Sequence, residues 1–292
     1  MNGHSKPDTK KLADELENAS GMYRLSAPKS LATAGFEKNS AWFLEFCRSL
    51  GTPLSQSAKG ELILSIRNES FGKNDPRTRG PNTNRKLSFH TDRCDVIAFL
   101  CLNPAKSGGE NQVVQSSTVE RTIREERPDL HAHLAGNYPY KRHVIDRANP
   151  SPYCMQPIFS WQDSHFACSY LRVLIDRADA DPDCPNLSSP QREALDFLDE
   201  VCEREELQTR FTLRAGDMLF LNNWTTLHRR TAFEDFIESD KRRHLLRVWL
   251  SMPNSRPLVE DFQANFGAVE AGALRGGIHP VGSHRQTSKQ KR

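Results

Sequence analysis

The spacing of apolar and polar residues predicts a short helical start, a loop-rich middle and a β-rich remainder. Residues 10–18 fit a short helix, and Phe43, Leu44, Phe46 and Cys47 give residues 39–50 the pattern of an amphipathic one. Glu61 to Ile66 alternates weakly and reads as a strand. Asn68 to Asn84 holds Gly72, Asp75, Pro76, Gly80 and Pro81 and reads as a long loop, of a length often used for lids or site walls. Leu87 to Leu102 is the strongest β region, because its run VIAFLCL is continuously apolar, as in a strand buried on both faces. The turn PAKSGGEN follows, then a helix over Ser117 to Glu126 that stops before Pro128.

Gln156 to Asp163 and His165 to Tyr170 read as short strands or a hairpin. Ser189-Pro190 predicts a helix start, with Ser as the cap and Pro in the first helical position. Leu195, Leu198 and Cys202, interleaved with Ala194, Phe197 and Val201, then form one apolar stripe. Three further strands are predicted at Arg210 to Leu213, Met218 to Leu221 and Arg243 to Met252. Strands at both ends with helices between them indicate a mainly β fold, a sandwich or barrel with helical additions. No repeat or linker divides it, so one domain is expected over 10–276, with a flexible N-terminus (1–9) and a flexible basic tail (277–292).

Composition narrows the function classes. The net charge is only +3, which gives no reason to expect nucleic acid as a partner. The longest apolar stretch, Val96 to Leu102, is too short to span a bilayer, and the first residues lack the apolar segment of a secretory signal. Seven irregularly spaced cysteines argue against a disulfide framework, and the absence of any CxxC pair argues against structural zinc. A cytoplasmic protein with a small-molecule substrate is expected, with no membrane partner and with homo-oligomerisation left open.

Three segments carry chemistry. In a strand, His90 and Asp92 would point to one face and offer an imidazole and a carboxylate to one metal ion. His228, which follows the strand-like Met218-Leu219-Phe220-Leu221 and Asn222-Asn223, would complete two histidines and one carboxylate. That trio occupies one face of an octahedral iron and leaves three positions open. Arg243 and Arg247 are four apart and share a face with Leu245 and Trp249. Either that face is wet, or both guanidiniums point inward and require anions, since an unpaired buried charge is costly. Cys94 is expected to be a buried small hydrophobe, His131 and His133 to lie at the surface, and Trp161 and Tyr170 to pack in the core.

The stretches FHTDRCDVIAFLCL, SGGENQVV, RAGDMLFLNNWTTLHRRTAFED and RRHLLRVWLS resemble the TauD/TfdA family of Fe(II)/2-oxoglutarate dioxygenases, from about Asn84 to Pro257 and in the family's order. The resemblance implies a double-stranded β-helix, a form of jelly roll. It implies His90, Asp92 and His228 as iron ligands, with Fe(II), 2-oxoglutarate and O2 as the reaction's requirements. It assigns Arg243 to the distal carboxylate of 2-oxoglutarate, and Arg247 to the substrate or the proximal carboxylate. The family threonine after the double glycine has no counterpart here; Asn111 stands in roughly that place. The expected activity is hydroxylation of a small anionic or amino-acid-like substrate with release of succinate and CO2. Desaturation, ring closure and a non-catalytic metal-binding jelly roll are the alternatives.

Overall fold

A computed structural model of the chain describes residues 8–31, 34–69, 71, 80–142 and 151–279. The segments 1–7 and 280–292, and most of the expected loop at 72–79, lie outside the described residues. The larger of two facing antiparallel sheets runs in the order Met22–Ser26, Asp217–Asn222, Val96–Asn103, His244–Ser251 and Thr52–Leu54, with Leu64–Ile66 pairing the other end of His244–Ser251. The smaller runs Gln208–Phe211, Asn111–Gln115 and Thr226–Arg230. Short hairpins and pairs account for the remaining strands among the described residues.

Strand parity explains the layering. In the large sheet, Val96, Ala98, Leu100, Phe220, Leu246 and Val248 face outward and pack with Leu12, Leu16, Phe43 and Cys47 of the helices Thr9–Asn18 and Phe36–Arg48. The alternate residues Ile97, Cys101, Leu219, Leu221, Leu245 and Trp249 face inward and meet Val113 of the small sheet. Val114 and Leu227, one residue out of phase, point to the opposite side, against Val119, Ile123, Leu195 and Leu198 of the helices Ser116–Glu126 and Ser189–Glu203. Each such buried Leu or Ile side chain contributes about 1.5–3 kcal/mol through apolar burial. The wholly apolar run of Val96–Asn103 is therefore a central strand covered on both faces, as its sequence predicts.

Several expectations shift by a residue or more. Asp8 caps the first helix, accepting from the amides of Lys10 and Lys11, so ordered structure begins inside the expected flexible segment. At the other end Gly277 and Ile278 still pack, their amides bonded to the carbonyls of Arg93 and Ser55. The cap of the long helix is Ser188, not Ser189, and it forms a reciprocal pair with Gln191. Helices at Pro128–Leu134 and Arg172–Asp179 and the strand Thr226–Arg230 were not expected from the pattern. His131 is half-buried, bonded to Glu120 at 2.8 Å, rather than a surface residue. Trp161 is exposed, whereas Tyr170 is in the core as expected. All seven cysteines are free and buried, Cys94 among them.

Candidate metal and co-substrate site

Between the two sheets lies a cavity. Its wall includes all six residues singled out in the sequence: His90, Asp92, Asn111, His228, Arg243 and Arg247. His228 stands on the strand Thr226–Arg230 and pairs with Val113, so strand parity turns it inward with that residue. His90 is bridged to it, each residue's amide donating to the other's carbonyl at 3.1 and 3.0 Å. The strand geometry expected for His90-Thr91-Asp92 is not what unites them. The bridge ends at His90, and Asp92 belongs to the bend leading into Val96–Asn103.

That bend is fixed by neighbours far away in sequence. The amide of Asp92 donates to Oδ1 of Asn223 at 2.9 Å, and the amide of Asn223 donates to the carbonyl of Asp95. The Asp95 carboxylate, wholly buried, accepts from Trp224 Nε1, Arg275 Nε and the Met252 amide. Gly276 lets the chain pass over the bend, because a Cβ there would lie 2.6 Å from the carbonyl oxygen of Arg93. Asn223, Asp95 and Arg275 thus set where Asp92 stands; nothing in the HxD pattern pointed to them.

The ligand atoms of His90, Asp92 and His228 all lie within 4.8 Å of one another. Nε2 of His228 and Oδ2 of Asp92 face each other across 3.7 Å, longer than a hydrogen bond. Nδ1 of His90 is bonded to the carbonyl of Ser88 at 2.9 Å, which orients the ring and leaves Nε2 for the cavity. Burial pushes the His228 imidazole down to about 3, with the neighbouring His90 adding to the effect, Asp92 opposing it and Arg247 adding to it. The ring is therefore neutral at ordinary pH, the form that coordinates metal. Its Nδ1 is buried with no hydrogen-bond partner among the described residues. Two imidazoles and a carboxylate converging on one point fit a borderline divalent cation such as Fe(II).

The arginines occupy the opposite wall. Arg247 lies on the inner face of His244–Ser251 beside Leu245 and Trp249, so the inward reading of that strand holds. Its Nε donates to Gln56 at 2.7 Å, its guanidinium covers the Trp249 ring at 5.0 Å, and Nη1 stands 3.8 Å from Asp92. Arg243 precedes the strand by one residue and is held by its amide, which donates to Asp235 at 2.9 Å. Burial pulls its guanidinium down to about 10, with Cys101 and Asp235 opposing. The backbone at Gly109 passes close to it. A Cβ on Gly108 would lie 2.3 Å from the Ala232 carbonyl, and one on Gly109 would touch Phe233 and Arg243. Asn111 begins the next strand, its amide 3.5 Å from the Phe211 carbonyl.

Two more arginines were not anticipated. Arg229 points away from the cavity centre, over the Phe89 ring at 4.1 Å, and pairs with Gln112 and Glu203. Arg230 lines the cavity, buried, with its guanidinium 4.5 Å from the Phe233 ring that Arg243 approaches to 5.1 Å. Burial, then the charge of Arg243, pull Arg230 down to about 9, against Asp235.

A facing pair of antiparallel sheets with a His-Asp-His cluster and inward arginines defines the class of cupped β-sandwich metalloproteins. The chain belongs to the TauD/TfdA family: the family model described as taurine catabolism dioxygenase TauD, TfdA family, matches residues 34–249. FR-33289 synthase of Streptomyces rubellomurinus is 32% identical over 230 residues, covering 77% of this chain and 67% of that protein. A taurine hydroxylase-like protein, SAT17, of Stachybotrys chartarum is 30% identical over 174 residues, 57% of this chain and 43% of that one. Solved structures with the same fold include asparagine oxygenase with Fe(II), 3-hydroxyasparagine and succinate, at TM-score 0.63 and 15% identity, over 83% of this chain and 78% of that one. The non-heme iron oxygenase OrfP with iron and α-ketoglutaric acid superposes at TM-score 0.56 and 14% identity, over 83% and 79%. The fold is accordingly a double-stranded β-helix. Among the described residues no helix is long and apolar enough to cross a membrane.

Proposed function

We propose that this chain is an Fe(II)/2-oxoglutarate-dependent oxygenase that hydroxylates a small anionic or amino-acid-like substrate. The observation that carries the reading is one cavity lined by His90, Asp92 and His228 on one side and by Arg243 and Arg247 on the other. His90, Asp92 and His228 would hold the metal. The Arg243 fork would take the distal carboxylate of 2-oxoglutarate, since a planar guanidinium binds a carboxylate through two parallel bonds. Asn111, which lines the same cavity, would donate to the co-substrate. Arg247, fixed by Gln56 and Trp249, would orient an anionic group of the substrate.

When bound, iron and 2-oxoglutarate supply the O2 activation: one substrate C–H becomes C–OH while 2-oxoglutarate and O2 give succinate and CO2. The residues of this chain bind, orient and keep the reaction dry. Phe99, Leu219, Leu221 and Leu245 line the cavity with apolar surface, which strengthens the ion pairs formed there. The relatives support an amino-acid-like substrate, since the asparagine and OrfP structures carry hydroxylated asparagine and hydroxyarginine. The test is succinate release with Fe(II), 2-oxoglutarate and ascorbate across a panel of amino acids and small acids. Substrate-dependent succinate with a product one oxygen heavier is expected. Absence of iron-dependent succinate release throughout the panel and without substrate would sink the reading.

A further inference from the structure

Arg230 donates from Nη2 to the carbonyls of Thr83 and Arg85, at 3.0 and 2.9 Å. Its own carbonyl accepts from the amide of Leu87 at 3.0 Å, and the amide of Phe233 donates to the carbonyl of Asn84. The segment 81–87 is thereby laced to the end of the strand that carries His228, and its Pro81 and Leu87 form part of the cavity wall. The lace is built around charge. The guanidiniums of Arg230 and Arg243 both lie against the ring of Phe233. Among the described residues the carboxylate whose charge acts on both is that of Asp235, whose Oδ1 is already engaged by the Arg243 amide. Two buried cations that share the charge of one carboxylate repel, and the repulsion eases if the segment swings away and lets water reach Arg230.

We propose that Arg230 is a positioning residue that fastens segment 81–87 over the co-substrate end of the cavity, and that a carboxylate bound at Arg243 tightens this fastening. The inference rests on the reading of Arg243 as the 2-oxoglutarate anchor. The incoming distal carboxylate supplies the second negative charge, so that two guanidiniums face two carboxylates and the closed arrangement is favoured. By reciprocity, the fastened segment strengthens 2-oxoglutarate binding. Arg230 acts through the segment, because three of its five N–H donors are bonded to the carbonyls of Thr83, Arg85 and Thr231. A lysine would keep the charge but lacks the planar head group that reaches Thr83 and Arg85 from Nη2 and Thr231 from Nη1.

The experiment is amide hydrogen exchange of the full chain loaded with Mn(II), with and without 2-oxoglutarate, reading the peptide over residues 81–87. In the wild type, 2-oxoglutarate should slow exchange there by at least about tenfold. Arg230→Met and Arg230→Lys should lose most of that slowing, and 2-oxoglutarate affinity by calorimetry should fall with it, while Mn(II) affinity stays the same. Wild-type exchange at 81–87 that ignores 2-oxoglutarate overturns the proposal without any variant having to fold. So does a full response in Arg230→Lys. Calorimetry separates this from the parent reading. If 2-oxoglutarate binds and Arg243→Ala abolishes the binding, but the segment does not respond, only the fastening role is wrong. If binding ignores Arg243, both fall together.

Discussion

Gln56 and Arg247 hold each other in both directions: Arg247 Nε donates to Gln56 Oε1 at 2.7 Å, and Gln56 Nε2 donates to the Arg247 carbonyl at 2.9 Å. The same amide group also donates to the carbonyl of Leu62. Both side chains are buried, so the pair fixes the direction of the guanidinium before any ligand arrives. Gln56→Leu would leave Arg247 Nε buried without an acceptor, which costs about 1–3 kcal/mol. Urea denaturation should show that loss, whereas Gln56→Glu, which keeps an acceptor, should show less. Equal stability of Gln56→Leu and wild type would mean that Arg247 finds another acceptor and that its direction is not set by Gln56.

The metal assignment predicts that His90→Ala or His228→Ala removes most Fe(II) affinity while leaving the fold intact. Each takes away one of the three converging donors. The His228 side should be the costlier to stability, since its strand is buried throughout. Iron titration of the purified protein, with circular dichroism as the folding control, decides. Unchanged stoichiometry and affinity in both variants would remove these residues from the metal site.

For the co-substrate, Arg243→Ala should raise the 2-oxoglutarate requirement by about 10- to 1000-fold, as loss of a desolvated bidentate charge pair of roughly 2–4 kcal/mol would. Arg247→Ala should act mainly on the prime substrate, because Arg247 is turned toward Asp92, whereas Arg243 stands before the strand beside Gly109 and Phe233. Titration of 2-oxoglutarate against uncoupled turnover in the two variants separates the roles. Reversed effects would exchange the two assignments.

Acid should loosen the outer side of the site through Glu203. The hydrogen bond from Arg229 holds this carboxyl down to about 2, against burial, with Lys86 assisting. Its folded value lies below the ordinary 4.5, so the stabilisation is complete above the ordinary value and is lost as pH falls through the folded one. Arg229 stacks on Phe89, next to His90, and is next to His228 in sequence, so the ion pair braces both ligand-bearing segments from behind. Urea midpoints followed from pH 5 down to pH 2 should fall less steeply in Glu203→Gln than in the wild type. Parallel curves would show that the pair contributes nothing to acid stability.

What could be read from the sequence, and what could not, follows from the range of the interactions. His90, Asp92, Arg243 and Arg247 announce themselves through spacing of two and four within single segments, and the apolar run at Val96 marks the central strand. The strand Thr226–Arg230 was hidden because every residue of it is buried, including His228, Arg229 and Arg230, so it shows no alternation of polar and apolar residues. Arg230 itself reads as a charge beside a turn. Its burial is explained by carbonyls of the 83–85 segment, far away in the chain. Gln56 and Asn223 were invisible for the same reason: each acts on a partner that only the folded sheet brings near. The Asp92 bend departs from the expected strand because Asn223 and the buried Asp95 bonds hold it elsewhere.

A carboxylate on iron fills a coordination position that a halide would otherwise need, and an enzyme that transfers halogen has to leave that position open. In this chain Asp92 is present, its carboxylate faces Nε2 of His228 across 3.7 Å, and its amide is pinned by Asn223, so the group cannot easily turn away. Turnover in excess chloride should therefore give an oxygenated product, one oxygen heavier by mass spectrometry, and no chlorinated one. Asp92→Ala tests the cause as well as the outcome: it should lose oxygenation and weaken Fe(II) binding, and added chloride should partly restore metal affinity by taking the vacated position. A chlorinated product from the unaltered protein would refute both the ligand role of Asp92 and the assignment as an oxygenase. A product lighter by two hydrogens would keep Asp92 on the metal and move the reaction to desaturation.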